Sequence, residues 1–240
     1  MKNNWLILTL LLSTIFISSC KQQETCDYEA IEPCVEECAM YEDFQDDSLG
    51  VATNWESVNA TDAQIVEAGS NKYLTVRDLS GASYLYNNTD FPANLIEQGC
   101  VLKYDVIYES GGSGNNLSTN NSIIIYQGSA PQTATLGATF VLNSSSLITN
   151  NQPFTTIEVP LELADPSSGA LPSNAFGEWR IGSGPPYTAA QINDFNTIIQ
   201  NISGIAFFLD EGSNPAEIWY FDNFCFQNCC DNKNNPLIEN

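Results

Sequence analysis

Histidine is absent from this chain of 240 residues. Without an imidazole there is no Ser-His-Asp or Cys-His nucleophile pair, no HExxH zinc helix and no histidine proton shuttle. Basic residues are nearly as scarce. Seven Lys and Arg stand against 29 Asp and Glu, which leaves a net charge of −22. So few cations cannot track a phosphate backbone, and nucleic acid is excluded as a partner. No segment offers the roughly 18 uninterrupted apolar residues of a membrane-spanning helix. What the chain does have is 43% apolar residues. That is enough for a packed core, so an acidic disordered chain is not the reading. At about 150 residues per domain, the length suits one large domain or two small ones.

The N-terminus reads as an address. Met1-Lys2-Asn3-Asn4 is short, polar and weakly basic, and Trp5 to Ile17 is almost unbroken apolar sequence. A run of about 13 residues is too short for a mature transmembrane helix and right for a signal-peptide core. It ends in Ile17-Ser18-Ser19-Cys20, which resembles the bacterial lipobox. The resemblance implies cleavage before Cys20, acylation of that cysteine (palmitate among its chains) and anchoring at a cell envelope, with the outer membrane expected. Each buried methylene of such chains contributes about 0.8 kcal/mol.

Seven further cysteines are Cys26, Cys34, Cys38, Cys100, Cys225, Cys229 and Cys230, six of them in two clusters near the ends of the mature chain. An exported protein uses cysteines as disulfides, and an odd number leaves one thiol over. The pairing stays open, and a thiolate metal site from Cys34, Cys38, Cys229 and Cys230 is the weaker alternative. If the two clusters pair, the chain ends are neighbours.

The expected organisation is a signal peptide over 1–19, a Cys-rich tether over 20–40, a β-sandwich over 41–230 and a polar tail over 231–240. Within 41–230, short β-branched and aromatic runs alternate with Gly, Asn, Ser and Pro clusters. Examples are Lys72–Val76, Cys100–Tyr108, Ser122–Tyr126, Ala138–Leu142, Thr156–Leu161, Gly204–Leu209 and Ile218–Phe226. Many short strands without alternating helices predict an all-β fold. One helix interrupts them near the C-terminal strands. Thr188-Ala189-Ala190-Gln191 matches a capping box, and Ile192, Phe195 and Ile199 form one apolar stripe.

Three stretches together resemble the extracellular jelly-roll modules of the laminin domain IV (laminin B) and family 4/22-like carbohydrate-binding type. They are Glu42-Asp43-Phe44 with Trp55, then Gly99-Cys100-Val101-Leu102-Lys103-Tyr104-Asp105-Val106, then the helix region followed by Asp222-Asn223-Phe224. The resemblance implies a jelly-roll sandwich. It also implies a structural Ca²⁺ held by Glu42 and Asp222, with Asp43 as a further ligand, and no organic cofactor. A hard cation that collects six to eight oxygens would relieve repulsion between such acids.

Glycan-binding sandwiches stack sugar faces on aromatic rings and bond hydroxyls with polar side chains. Trp55, Tyr86, Tyr126 and Tyr187 stand in loop-like settings and are the candidate platform, whereas Trp179 and Trp219 read as core. A catalytic carboxylate pair is the weaker reading. Asp210, Glu211 and Glu217 flank the turn Gly212-Ser213-Asn214-Pro215 and read as solvated, and neither Arg77 nor Arg180 sits in a catalytic setting. The expectation is a non-enzymatic, lipid-anchored envelope module that binds glycan or another envelope component. An adhesion or structural protein is the alternative, and a polysaccharide hydrolase or lyase comes after it.

Overall fold

A computed structural model of the chain describes residues 37–79, 81–110, 123–148, 153–210 and 217–228. Among the described residues, thirteen strands and one α-helix build an all-β jelly-roll sandwich. The strands are β1 (Cys38–Glu42), β2 (Gly50–Val51), β3 (Glu56–Val58), β4 (Gln64–Ala68), β5 (Asn71–Arg77), β6 (Tyr84–Asn87) and β7 (Val101–Ser110). They continue as β8 (Ile123–Gln127), β9 (Leu136–Leu142), β10 (Thr155–Pro160), β11 (Gly177–Arg180), β12 (Gly204–Phe208) and β13 (Glu217–Gln227). The helix α1 is Ala189–Ile199. Among the described residues no helix is long and apolar enough to cross a membrane.

One sheet runs β10-β7-β13-β5-β4-β2, and β1 joins it by pairing with β13. The other runs β11-β9-β8-β12-β6-β3. Every pairing is antiparallel. β13 organises the first sheet. Its alternate residues Trp219 and Phe221 turn inward, as a strand with one buried face requires. β5 pairs its first half and β1 its second, while β7 runs along its other side. The register slips between Asp222 and Cys225, where Asn223 takes a left-handed φ of 51°. That bulge turns Phe224 into the core, and its ring stacks 5.8 Å from Tyr104.

Burial between the sheets holds them together. Phe207 of one sheet meets Phe221 of the other with ring centres 4.5 Å apart, and Trp179 Nε1 donates to Pro160 O across the gap at 2.7 Å. The expected capping box is present in full at the start of α1. Thr188 Oγ1 accepts from Gln191 N at 3.3 Å, and Gln191 Oε1 accepts from Thr188 N at 3.0 Å. Ile192, Phe195, Ile198 and Ile199 are buried, and Phe195 packs on Trp179. The helix therefore packs its apolar side against Trp179 of β11.

The described elements differ from the sequence expectation at one boundary and in three further strands, β2, β3 and β11. β1 starts at Cys38, so the last residues assigned to the tether belong to the sandwich, held by pairing with Gln227, Phe226 and Cys225. β11 was not among the expected strands, because Gly177-Glu178-Trp179-Arg180 carries no β-branched residue.

Candidate functional site

The outer face of the six-stranded sheet mixes aromatic and polar side chains. One row across it is Glu56, Tyr86, Ala206, Ile124, Thr139 and Arg180, each opposite the next in register. A second row holds Val58, Tyr84 and Phe208. Alternation within β6 and β12 puts both rows on the same side, away from Leu85 and Phe207 in the core. Tyr84 and Phe208 are half-buried and meet edge to face with ring centres 5.2 Å apart. Glu56 and Arg180 are exposed at opposite margins. Six strands at about 4.8 Å spacing make a face about 24 Å wide. Arg180 pairs with Glu178 at 2.7 Å on the same face.

Part of this face is covered. Tyr86, Tyr126 and Ala206 form a second small apolar cluster with Val58, Ile124, Ala130 and Ala134 against it. Ala130 and Ala134 belong to the loop after β8, which includes a 3₁₀ turn at Pro131–Thr133. Tyr86 Oη donates to Glu56 Oε2 at 2.6 Å, and burial with the nearby carboxylate pushes its pKa up to about 12. The Tyr126 hydroxyl is buried without a hydrogen-bond partner, and burial also drives its pKa upward.

The four aromatics expected to form a sugar platform do not form one. Trp55 lies in the main core, ringed by Phe91, Phe207 and Phe224. Tyr187 follows the Gly/Pro loop but folds back into the core, its hydroxyl 3.5 Å from Trp179 O. Tyr86 and Tyr126 do share the outer face, beneath the loop after β8. All four are buried. The half-exposed rings on that face are Tyr84 and Phe208, which the sequence reading passed over. The signal was available: Tyr84-Leu85-Tyr86 alternates, and Leu85 is its core residue. On the outer face of the other sheet, Tyr73 packs on Phe154 and Tyr220, and Tyr220 Oη donates to Glu109 at 2.8 Å.

The acids expected to hold calcium surround the bulge of β13. Asp222 is buried. Its Oδ2 accepts from Asn71 Nδ2 at 2.8 Å and its Oδ1 from Asn223 N at 2.9 Å. Glu42 Oε1 accepts from Phe44 N at 2.9 Å, and Asp43 Oδ1 from Gln45 N at 3.1 Å. Asn223 Nδ2 extends the network to Asp105. Burial raises the pKa of Asp222, and Asp105 and Asp43 add to the rise. Burial raises that of Glu42 as well, with Asp47, Asp43 and Asp90 adding, against the Phe44 amide. Each acid thus accepts at least one amide hydrogen. Among the described residues, one group of three carboxylates brings its oxygens within 4.8 Å of one another, and it lies elsewhere: Asp78, Asp210 and Glu217. Glu217, expected to be solvated, is buried because it shares the inward side of β13 with Trp219 and Phe221.

Cys38 and Cys225 form a disulfide that spans 187 positions and ties β1 to β13, the first and last described strands. Cys100 is also disulfide-bonded. Cys20, Cys26, Cys34, Cys229 and Cys230 lie outside the described residues, as does the lipobox.

No family profile and no curated protein matches the sequence. Solved structures do match in fold. An exo-β-agarase is similar over 78% of this chain at 15% identity with a TM-score of 0.50, and the chain covers 24% of it. CtCBM11 is similar over 83% of this chain and 99% of its own, at 15% identity and a TM-score of 0.49. The L4b domain of human laminin α-2 is similar over 69% and 82% respectively, at 17% identity and a TM-score of 0.43. At these identities the likeness is one of fold alone.

Proposed function

We propose that the chain is a non-catalytic glycan-binding module, anchored at the cell envelope through Cys20, which takes its ligand on the outer face of the six-stranded sheet. The observation that carries this reading is the Tyr84–Phe208 ring pair, half-exposed on a face edged by Glu56 and Arg180. Aromatic faces take up the C–H side of a pyranose, while carboxylate and guanidinium groups bond its hydroxyls. A catalytic role has less support. The converging acids Asp78 and Glu217 are buried, and the chain has no histidine.

The test is a glycan array followed by titration calorimetry on the best ligand. Tyr84→Ala and Phe208→Ala are expected to weaken binding tenfold or more with little change in melting temperature. Tyr73→Ala, on the opposite outer face, is expected to leave affinity unchanged. An array with no binder, or affinity lost only in Tyr73→Ala, would sink the proposal. An empty array together with capture of an envelope protein would favour the adhesion reading.

A further inference from the structure

The two sheets come together at the end of the sandwich where β13 begins. Asp78 follows β5, Asp210 follows β12 and Glu217 opens β13. One carboxylate oxygen from each lies within 4.8 Å of the others. Strand alternation explains the convergence. Leu74 and Val76 turn inward and Asp78 continues their side; Trp219 and Phe221 do the same for Glu217. Asp78 is 2% exposed and Glu217 1%. Asp78 N donates to Glu217 O at 2.8 Å, which fixes the two strand ends side by side. Asp210 is half-buried beside them.

A separate observation concerns no acid at all. The Ser83 hydroxyl is fully buried and has no hydrogen-bond partner. Leu209 N donates to Ser83 O at 3.0 Å, so Ser83 lies opposite the residue before Asp210. Asn59 links its neighbour Ala82 to Leu79, the residue after Asp78. Ser83 precedes β6 on the same inward side as Leu85, so its hydroxyl faces the interior beside the strand ends that carry Asp78 and Asp210. Leaving a buried hydroxyl unpaired is costly, so one that finds no partner in the protein is suited to one from outside it.

We infer that Asp78, Asp210, Glu217 and Ser83 form a calcium site that fastens one sheet to the other. The donors are all oxygen, which selects a hard cation over zinc or copper. Calcium holds oxygens at about 2.4 Å, so two ligands of one ion stand at most about 4.8 Å apart. Asp78 and Glu217 come from the seven-stranded sheet and Asp210 and Ser83 from the six-stranded one. This site is distinct from the Glu42, Asp43 and Asp222 network at the bulge of β13.

The test uses the full chain, stripped with EGTA and titrated with CaCl₂ by calorimetry and thermal melting. One saturable site and a melting temperature raised by several degrees are expected. Asp210→Asn, at the half-buried ligand, is expected to weaken calcium at least tenfold, while Asp43→Asn binds as the wild type. No heat and no thermal shift up to millimolar calcium would overturn the inference. So would wild-type affinity in Asp210→Asn, or affinity lost in Asp43→Asn. Should Asp210→Asn fail to fold, Ser83→Ala decides: weakened calcium binding with an unharmed calcium-free fold supports the site, and unchanged binding refutes it.

Discussion

Replacing Cys38 and Cys225 together by alanine removes the described disulfide without leaving a lone thiol. The bond closes a loop across 187 positions. Loop-closure entropy grows with the logarithm of that length, and for this span it restricts the unfolded chain by about 5 kcal/mol at 25 °C. The folded state loses little else, because β1 keeps its backbone pairing with β13 from Cys38 to Glu42. For a domain of this size each kcal/mol moves the melting temperature by about 2–4 °C, so a fall of about 10–20 °C is expected. Urea unfolding followed by tryptophan fluorescence reads the change. The slope of free energy against urea should also rise, since the released chain exposes more surface when it unfolds. A loss below about 1 kcal/mol with an unchanged slope would refute the reasoning. It would mean that the unfolded ensemble keeps its ends together without the bond.

Three other changes have defined outcomes. Tyr126→Phe removes a buried hydroxyl that has no partner, and a stability gain of about 1–3 kcal/mol is expected in urea unfolding. Gly204→Ala sets a methyl 2.6 Å from Asn87 O and 2.7 Å from the Tyr126 hydroxyl; a loss of about 1–3 kcal/mol is expected, with unfolding at lower urea. Glu42→Gln tests the raised pKa of Glu42. A raised carboxyl pKa means the fold is penalised once the group ionises, so this contribution to stability is intact below the ordinary value of 4.5 and is lost as pH rises through the folded value. The variant should therefore outlast wild type in thermal melts at pH 7, with the advantage closing toward pH 4, and an advantage that does not change with pH would count against it.

The strands and the helix were legible because their signals are local. Ile218 to Phe226 alternates buried and half-buried residues through Phe221, and the Thr188–Gln191 capping box marks a helix start within four residues. The site was less legible because alternation assigns a side chain to one side of a strand and says nothing of what covers that side. Tyr86 and Tyr126 do point outward, but a loop distant from β6 in sequence lies over them. Tyr187 follows a flexible-looking Gly/Pro stretch, and tertiary packing brings it inside. Glu217 was readable. Counting back by two from Trp219 puts it inward, but the turn residues before it suggested solvent. The convergence of Asp78 with Glu217 depends on β5 lying beside β13, a pairing across the chain that no local pattern encodes.

The bond between Cys38 and Cys225 also sets how the domain would bear a pull. Tension arriving along the N-terminal segment passes from Cys38 straight into β13 through a covalent link. The hydrogen bonds of β1 are bypassed, so they cannot be unzipped one at a time. The load instead falls on a strand flanked by β7 on one side and β5 on the other. Dislodging it requires shearing two ladders at once, and reduction of the bond would turn that shear back into a peel.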